Sequence, residues 1–345
     1  MSAGYLLDRV LLQFTKADIC PDLSAVRLVD NYLWLGSDEL TSIERLNYLG
    51  NHRFGEHQSY PLTDFFPDFD PEDGEVDIEG IAHDGGYLWV IGSHSTKRKK
   101  AKGSKADELA VVKSEYNRYF LCRIPIAEGI PHRTCDQRTA AYLKRTEVND
   151  VLIEALQNDP CLAPFLQAGI PGKDNGLDIE GIAVKDGKIL LGLRGPVLRG
   201  VAIILELELE EVGNHLLDLK AIEDDKRYKK HFVALDGLGI RDMCPIEGED
   251  LLILAGPSMD LDGSLRVFRL KDAFDLKDDS YTVQDDDEEL VYLFDVPFER
   301  GTDRAEGMTL FQAFGEISAL LVVYDSPNPK REVQTNGTLG DVFTI

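Results

Sequence analysis

Short apolar runs, each closed by a glycine or an aspartate, recur along this chain, and sustained helical spacing is rare. The clearest alternation lies at residues 201–210, where Leu205, Leu207 and Leu209 interleave with Glu206, Glu208 and Glu210. A period of two places one set of side chains on each face of a strand. Residues 5–14, 119–126, 232–236, 264–270 and 290–296 also read as strands. One stretch, residues 139–157, sets Ala140, Leu143, Val148, Leu152 and Leu156 on one side of a helix.

The strands fall into a repeat. Asp77-Ile78-Glu79-Gly80-Ile81-Ala82 recurs as Asp178-Ile179-Glu180-Gly181-Ile182-Ala183. A turn rich in Asp and Gly follows each, then an apolar strand at residues 87–92 or 188–192. Three weaker copies keep the plan around Ser24, Arg241 and Glu306, leading to apolar strands at residues 31–36, 251–257 and 320–325. Each copy is a hairpin, and further strands lie between copies. About four strands per unit, in consecutive units, is the plan of a β-propeller blade. A lone blade cannot bury both faces, so the units must stack around an axis. The expected fold is all-β, a single propeller over residues 1–345, with residues 5–14 and 341–345 sharing one blade and closing the ring. Neighbouring copies lie about 55 to 65 residues apart, but 101 positions separate Glu79 from Glu180. That spacing predicts five blades with an insertion between the second and third repeats: a basic loop at residues 95–117 and a helical segment at residues 136–170. Six blades, one degenerate, is the alternative.

Composition excludes several function classes. Of 345 residues, 37 are Lys or Arg and 62 are Asp or Glu, a net charge of −25. Such a field repels polyanions, which argues against nucleic acid and anionic membranes as partners. No run approaches the roughly 20 apolar residues of a membrane span. Asp8 and Arg9 interrupt the first apolar run, and no basic start or small-residue cleavage site accompanies it, so the expected compartment is the cytoplasm. The five cysteines are odd in number and lack CxxC spacing, which reads as reduced thiols. Acidic runs at residues 68–75 and 285–289 read as solvated loops. The first has Asp73 where an EF-hand needs glycine. One basic run, Lys97-Arg98-Lys99-Lys100-Ala101-Lys102 with Lys105, starts directly after Ser93-His94-Ser95. It reads as a surface insertion; folded over the channel mouth, it would hold positive charge above any site there.

The chemistry is expected where the motif opens each innermost strand. The second strand of a hairpin runs back, so its end lies beside the start of the first. Aligning the copies gives two rings on one face. The motif position holds Ser24, Glu79, Glu180, Arg241 and Glu306; the end of the second strand holds Asp38, His94, Arg194, Ala255 and Asp325, with Ser93, Ser258 and Asp260 close by. A scaffold would tend to repeat one residue type, whereas here the polar residue changes between copies. Two residues apart on a strand, Asp77 with Glu79, Asp178 with Glu180, and Arg304 with Glu306 should project together. Carboxylates at these places can equally bond backbone N–H groups of a neighbouring blade. The glycine after each Glu answers a backbone need, either an unusual φ or close approach.

As a site, the ring reads in two forms. Asp77, Asp178, Asp38 and Asp325 suit a hard divalent cation, Ca²⁺ or Mg²⁺. Arg194, Arg199, Arg241 and Arg304 suit the clamping of a small anionic ligand, phosphate or carboxylate. Glu79, His94, Glu180 and Glu306 are the candidates for acid–base catalysis. The forms combine in a metal-assisted hydrolase of a phosphoester or ester; a non-catalytic ligand- or protein-binding propeller is the alternative. No Gly-x-Ser-x-Gly elbow, phosphate-binding P-loop, dinucleotide fingerprint or His-Glu-x-x-His occurs.

The stretch from Asp178 to Ala183, the run Leu191-Gly192-Leu193-Arg194-Gly195-Pro196-Val197-Leu198-Arg199-Gly200, and Ile240-Arg241-Asp242-Met243-Cys244-Pro245 with Leu254-Ala255-Gly256-Pro257 together resemble an uncharacterised bacterial domain-of-unknown-function family. That resemblance spans nearly the whole chain and implies a bacterial origin without an activity. The Asp-x-Glu-Gly strand opening is also similar to that of esterase-like phytase propellers, which implies Ca²⁺-assisted phosphoester hydrolysis. Only the short motif carries this second likeness.

Overall fold

The computed structural model describes residues 4–101, 105–213, 215–222, 225–284, 288–313, 317–334 and 336–345, the side chains of residues 313 and 317 excepted. Lys102 of the basic run and residues 285–287 of the second acidic run lie outside them.

The chain folds as an all-β, propeller-like protein. A four-stranded antiparallel unit recurs, each beginning with the hairpin that carries the repeat. Leu23–Val29 and Tyr32–Ser37 continue into Ser42–Tyr48 and Arg53–Pro61. Ile78–Asp84 and Tyr87–Gly92 continue into Leu121–Ala127 and Ala141–Leu143. Asp178–Lys185, Lys188–Gly195, Ala202–Gly213 and Lys229–Val233 form the next unit. Gly239–Pro245, Leu251–Gly256, Leu265–Leu270 and Leu290–Val296 follow. In the last unit Arg304–Ala313, Ile317–Asp325 and Gly337–Thr344 take their outer strand from the other end of the chain: Leu6–Gln13 pairs antiparallel with Gly337–Thr344, Leu12 opposite Thr338.

Apolar faces pack between neighbouring units. Ile179, Ile182 and Leu191 meet Trp89, Ile91 and Leu121. Ile240, Met243 and Ile253 meet Ala183, Leu190 and Ile204. Leu23, Val26 and Leu35 meet Leu321, Val323 and Val342 of the last unit, so the first and last share a core. The motif glycines stand at these contacts. A Cβ on Gly80 would lie 2.8 Å from Ile182 of the next unit, and one on Gly307 would lie 3.0 Å from the Val26 backbone nitrogen. Neither glycine is among those with positive φ, so close approach is the backbone need that they answer.

Local structure differs from expectation between residues 136 and 170. The helix expected over residues 139–157 forms only as α1, Val151–Leu156, followed by α2, Ala163–Gln167. Upstream, Ala141–Leu143 is a strand on the edge of Leu121–Ala127. A free sheet edge decides a short apolar run that periodicity leaves ambiguous. Asp150 caps α1 by accepting from Ile153 N at 3.0 Å. The described part of the basic run is held in pairs: Lys97–Arg98 pairs with Val112–Lys113 as a hairpin, and Arg98 Nε lies 2.6 Å from Asp174. Within the first acidic run Glu75 is not merely solvated, since Arg118 Nη2 donates to it at 2.6 Å. No helix among the described residues is long and apolar enough to cross a membrane.

Candidate functional site at the channel mouth

Every copy of the repeat carries the same irregularity. Ile78 pairs with Gly92 and Gly80 with Ile91, which leaves Glu79 without an opposite residue. The same skip falls at Glu180, Arg241, Glu306 and Ser24. Each motif residue is thus the extra residue of a β-bulge, a device that re-aims a side chain out of the pleat. Strict alternation therefore does not govern where these side chains point.

Four of the five bulge residues are tied to an adjacent unit. Ser24 Oγ donates to Ile78 O. Arg194 Nη1 donates to Glu180 Oε1 at 2.7 Å and lies 3.8 Å from Asp178, so those two carboxylates do converge. Arg241 Nε lies 3.1 Å from Glu180 Oε2, and its Nη2 donates to Glu306. The result is an alternating chain, Arg194–Glu180–Arg241–Glu306, across three units. Glu79 is the exception. It is 6% exposed and has no hydrogen bond or ion pair among the described residues.

Electrostatics follows from that crowding. Burial first, then Glu180, Asp77, Glu306 and Asp178, raises the Glu79 pKa well above the usual carboxylate range. Asp178 is pushed up to about 7 by burial and by Glu180, against the pull of Arg194. Glu306 is pushed up to about 7 by burial, against Arg241. Asp38 reaches about 8 through burial and the charges of Asp77, Glu306 and Asp325. Its Oδ1 is buried without a partner. Asp77 is held by Arg118 Nη1 at 2.7 Å.

The remaining candidates are dispersed. Arg304 sits at the rim, 3.0 Å from Asp260 and 4.0 Å from Asp325. Arg199 is exposed on a turn, with φ of 51°, and has no ion pair among the described residues. His94 is buried with φ of 53° and turns from the ring: Nδ1 meets Gly92 O at 2.9 Å and Nε2 meets Asp150 Oδ2 at 2.7 Å. Its other neighbours line a cavity of about 310 Å³ that includes Tyr119, Asn149, Ile153 and Phe165. Asp77, Asp178, Asp38 and Asp325 do not gather as a cation site. Among the described residues, no group of three or more His, Cys, Asp or Glu side chains could hold a metal ion.

Arg118, Lys173 and Arg27 have no signal in the repeat. Arg118 comes from a 3₁₀ turn, Tyr116–Arg118. Lys173 lies on a strap, residues 171–176, laid across the mouth; its charge acts on Glu306, Glu79 and Asp77. Only the glycines flanking it, Gly172 and Gly176, mark that strap in the sequence. Deeper in the channel, Arg27 donates to Ile81 O at 3.0 Å, to Met243 O at 2.8 Å and to Cys244 Sγ at 2.9 Å. Asp242, where three other copies have glycine and the first has Ala25, accepts from Met308 N and Met243 N at 2.7 Å.

A propeller-like protein with a charged, recessed mouth is the class that this fold and site define. The chain belongs to the DUF3616 family of proteins of unknown function, whose model matches residues 22–341. Among curated proteins nothing matches it. Similar solved structures include the glutaminyl cyclase of Myxococcus xanthus, with a TM-score of 0.43, 8% identity, and 99% of this chain and 96% of that chain covered. The PQQ-bound aldose sugar dehydrogenase of Streptomyces coelicolor has a TM-score of 0.40, 10% identity and 99% coverage of both chains. A mannose phosphorylase of Leishmania mexicana, in complex with phosphate ion, has a TM-score of 0.43, 10% identity, and coverage of 99% and 89%.

Proposed function

We propose that this protein is a five-bladed propeller that binds a small polar molecule at one mouth of its central channel. Glu79 receives a hydrogen-bond donor of that molecule and exchanges a proton with it. One observation carries the reading: of five equivalent bulge residues, four are tied to a neighbouring unit and Glu79 is buried with nothing. A buried carboxyl left unpaired costs about 1–3 kcal/mol. Such a cost is typical of a position kept for a ligand.

A buried carboxyl whose pKa is raised keeps its proton to higher pH, which suits it to general acid–base work. In hydrolysis of an ester or phosphoester, protonated Glu79 would give its proton to the leaving oxygen as the C–O or P–O bond breaks. It would regain one from the water that supplies the new hydroxyl. The described carboxylates do not form a metal cage, so no step is routed through a cation. A second reading, ligand binding without turnover, is favoured by the arginines. Arg194 and Arg241 line a pocket of only about 30 Å³ at the mouth, and both are already bonded to Glu180 or Glu306. An anionic ligand would compete with these carboxylates for them.

The test is a thermal-shift panel of small amines, acids, polyols, esters and phosphoesters on the intact protein and on Glu79→Gln, with turnover followed for the esters. A true ligand raises Tm of the parent and loses that shift in the variant. Hydrolysis, where present, falls at least about 100-fold. Equal shifts in both proteins would remove Glu79 from the binding contact.

A further inference from the structure

The channel has a second mouth, and its charge is the reverse of the first. The opening strands of the five units neighbour one another in a closed ring. At the opposite end of these strands from Glu79, all five line a cavity of about 180 Å³. Its ionisable side chains are Arg27, His83, Lys185 and Cys244, and no carboxylate lines it among the described residues. In a chain with a net charge of −25, such a mouth is a local reversal of sign.

Arg27 holds the centre. From the first unit it spans the channel, Nε donating to Ile81 O of the second unit and Nη2 to Met243 O of the fourth. Nη1 donates to Cys244 Sγ at 2.9 Å. A guanidinium carries five N–H groups. Five less these three leaves two, one on each terminal nitrogen, with no bond among the described residues. Asp242 Oδ1 stands 4.0 Å from Nη2, beyond hydrogen-bond reach, and that carboxylate already accepts from Met243 N and Met308 N. Arg27, 7% exposed, is thus a buried charge with no carboxylate bonded to it.

The rest of the lining adds donors. Thr309 Oγ1 accepts from Leu28 N at 3.0 Å, which leaves its hydroxyl proton to give. Lys185 Nζ donates to Gly248 O and to Glu249 and keeps a third proton. The exposed His83 ring has no hydrogen bond or ion pair among the described residues; Asp84 and Asp30 act on it from outside the lining.

We propose that this second mouth binds a small oxyanion of the phosphate or sulfate class on Arg27, with Thr309, Lys185 and His83 around it. The cavity is smaller than the roughly 300–1,000 Å³ of pockets that enclose a whole small-molecule ligand. It therefore takes the free ion, or the charged head of a molecule whose body stays outside. Arginine meets such a group with two parallel N–H donors, and burial strengthens the contact. Binding breaks no bonded ion pair, whereas an anion at Arg194 or Arg241 would have to displace Glu180 or Glu306. The site stands apart from Glu79 and does not depend on what the first mouth binds.

The test is calorimetric titration of the whole chain with inorganic phosphate, sulfate and phenyl phosphate, at constant ionic strength with chloride as the reference salt. Phosphate or sulfate should bind at one site per chain. Arg27→Lys keeps the charge and loses the planar fork, and should weaken binding at least about tenfold. His83→Gln and Lys185→Met, nearer solvent, keep the test open if the buried substitution unfolds the chain; each should weaken binding about two- to fivefold. Glu79→Gln should bind as the parent does. Phenyl phosphate binding tighter than phosphate would mark the seat of a larger molecule's head, and weaker binding the seat of the free ion; both support the site. Heats no larger than those of chloride, or an affinity unchanged in all three variants of the second mouth, would overturn it. So would a loss of binding in Glu79→Gln, which would move the anion to the first mouth.

Discussion

Replacing Glu79 by Gln should stabilise the protein at pH 8 and leave it almost unchanged at pH 5. Burial raises the folded pKa of Glu79 above that of the unfolded chain, about 4.3. Below about pH 4 the carboxyl is protonated in both states and no ionisation penalty exists. As pH climbs past the unfolded value, the unfolded chain releases its proton and the folded state retains it, so stability falls. The fall continues until pH reaches the folded pKa. Each pH unit in that window costs about 1.4 kcal/mol, so the ceiling between pH 4.3 and 8 is about 5 kcal/mol. Relaxation and water entry reduce this to about 1–3 kcal/mol, the usual cost of a buried group without a partner. Gln keeps the shape and cannot ionise. With an unfolding entropy of about 2.1 cal/mol/K per residue, a chain of 345 residues moves about 1.4 °C per kcal/mol. Calorimetry should find Tm of the variant about 1.5–4 °C above the parent at pH 8 and within about 1 °C at pH 5. A lower Tm at pH 8 would mean that Glu79 is satisfied in solution. An equal rise at both pH values would trace the gain to the amide and refute the charge argument.

Other outcomes follow from the same geometry. Arg194→Met leaves Glu180 and Asp178 facing each other, and should cost about 3–5 kcal/mol in urea unfolding; adding Glu180→Gln should recover much of the loss. Gly80→Ala drives a Cβ to 2.8 Å from Ile182 and Ile91, and should cost about 1–3 kcal/mol by the same measurement. Arg27→Met strips donors from Ile81 O and Met243 O, and should lower Tm by several degrees without changing ligand affinity at the mouth, as calorimetry would show. Asp38→Asn removes a carboxyl held at about 8, and should flatten the decline of Tm between pH 5 and 8.

How much of this was legible depends on what set each position. The hairpins were readable because alternation, turn residues and apolar strands are local signals, and the partnership of the chain ends followed from a strand left without a hairpin. The ring positions were readable too, since an aligned repeat maps onto equivalent places around an axis. What each ring residue does was not. Ser24, Glu180, Arg241 and Glu306 share a bulge with Glu79, and the sequence offers no local reason why only Glu79 should lack a partner. That difference arises from which residue the adjacent unit offers. Arg241 stands between Glu180 and Glu306 and pairs with both, whereas Arg118, from a turn outside the repeat, is drawn to Asp77 and Glu75. His94 shows the same limit. It occupies the ring position by alignment, yet a positive φ and the cap residue of α1, Asp150, take its side chain elsewhere. Lys173 was invisible because it belongs to no repeat, and its place over the mouth depends on a strap anchored to Thr96, Val197 and Asp260. A repeat specifies the frame, and the segments that break it decide which groups in the frame stay free to bind.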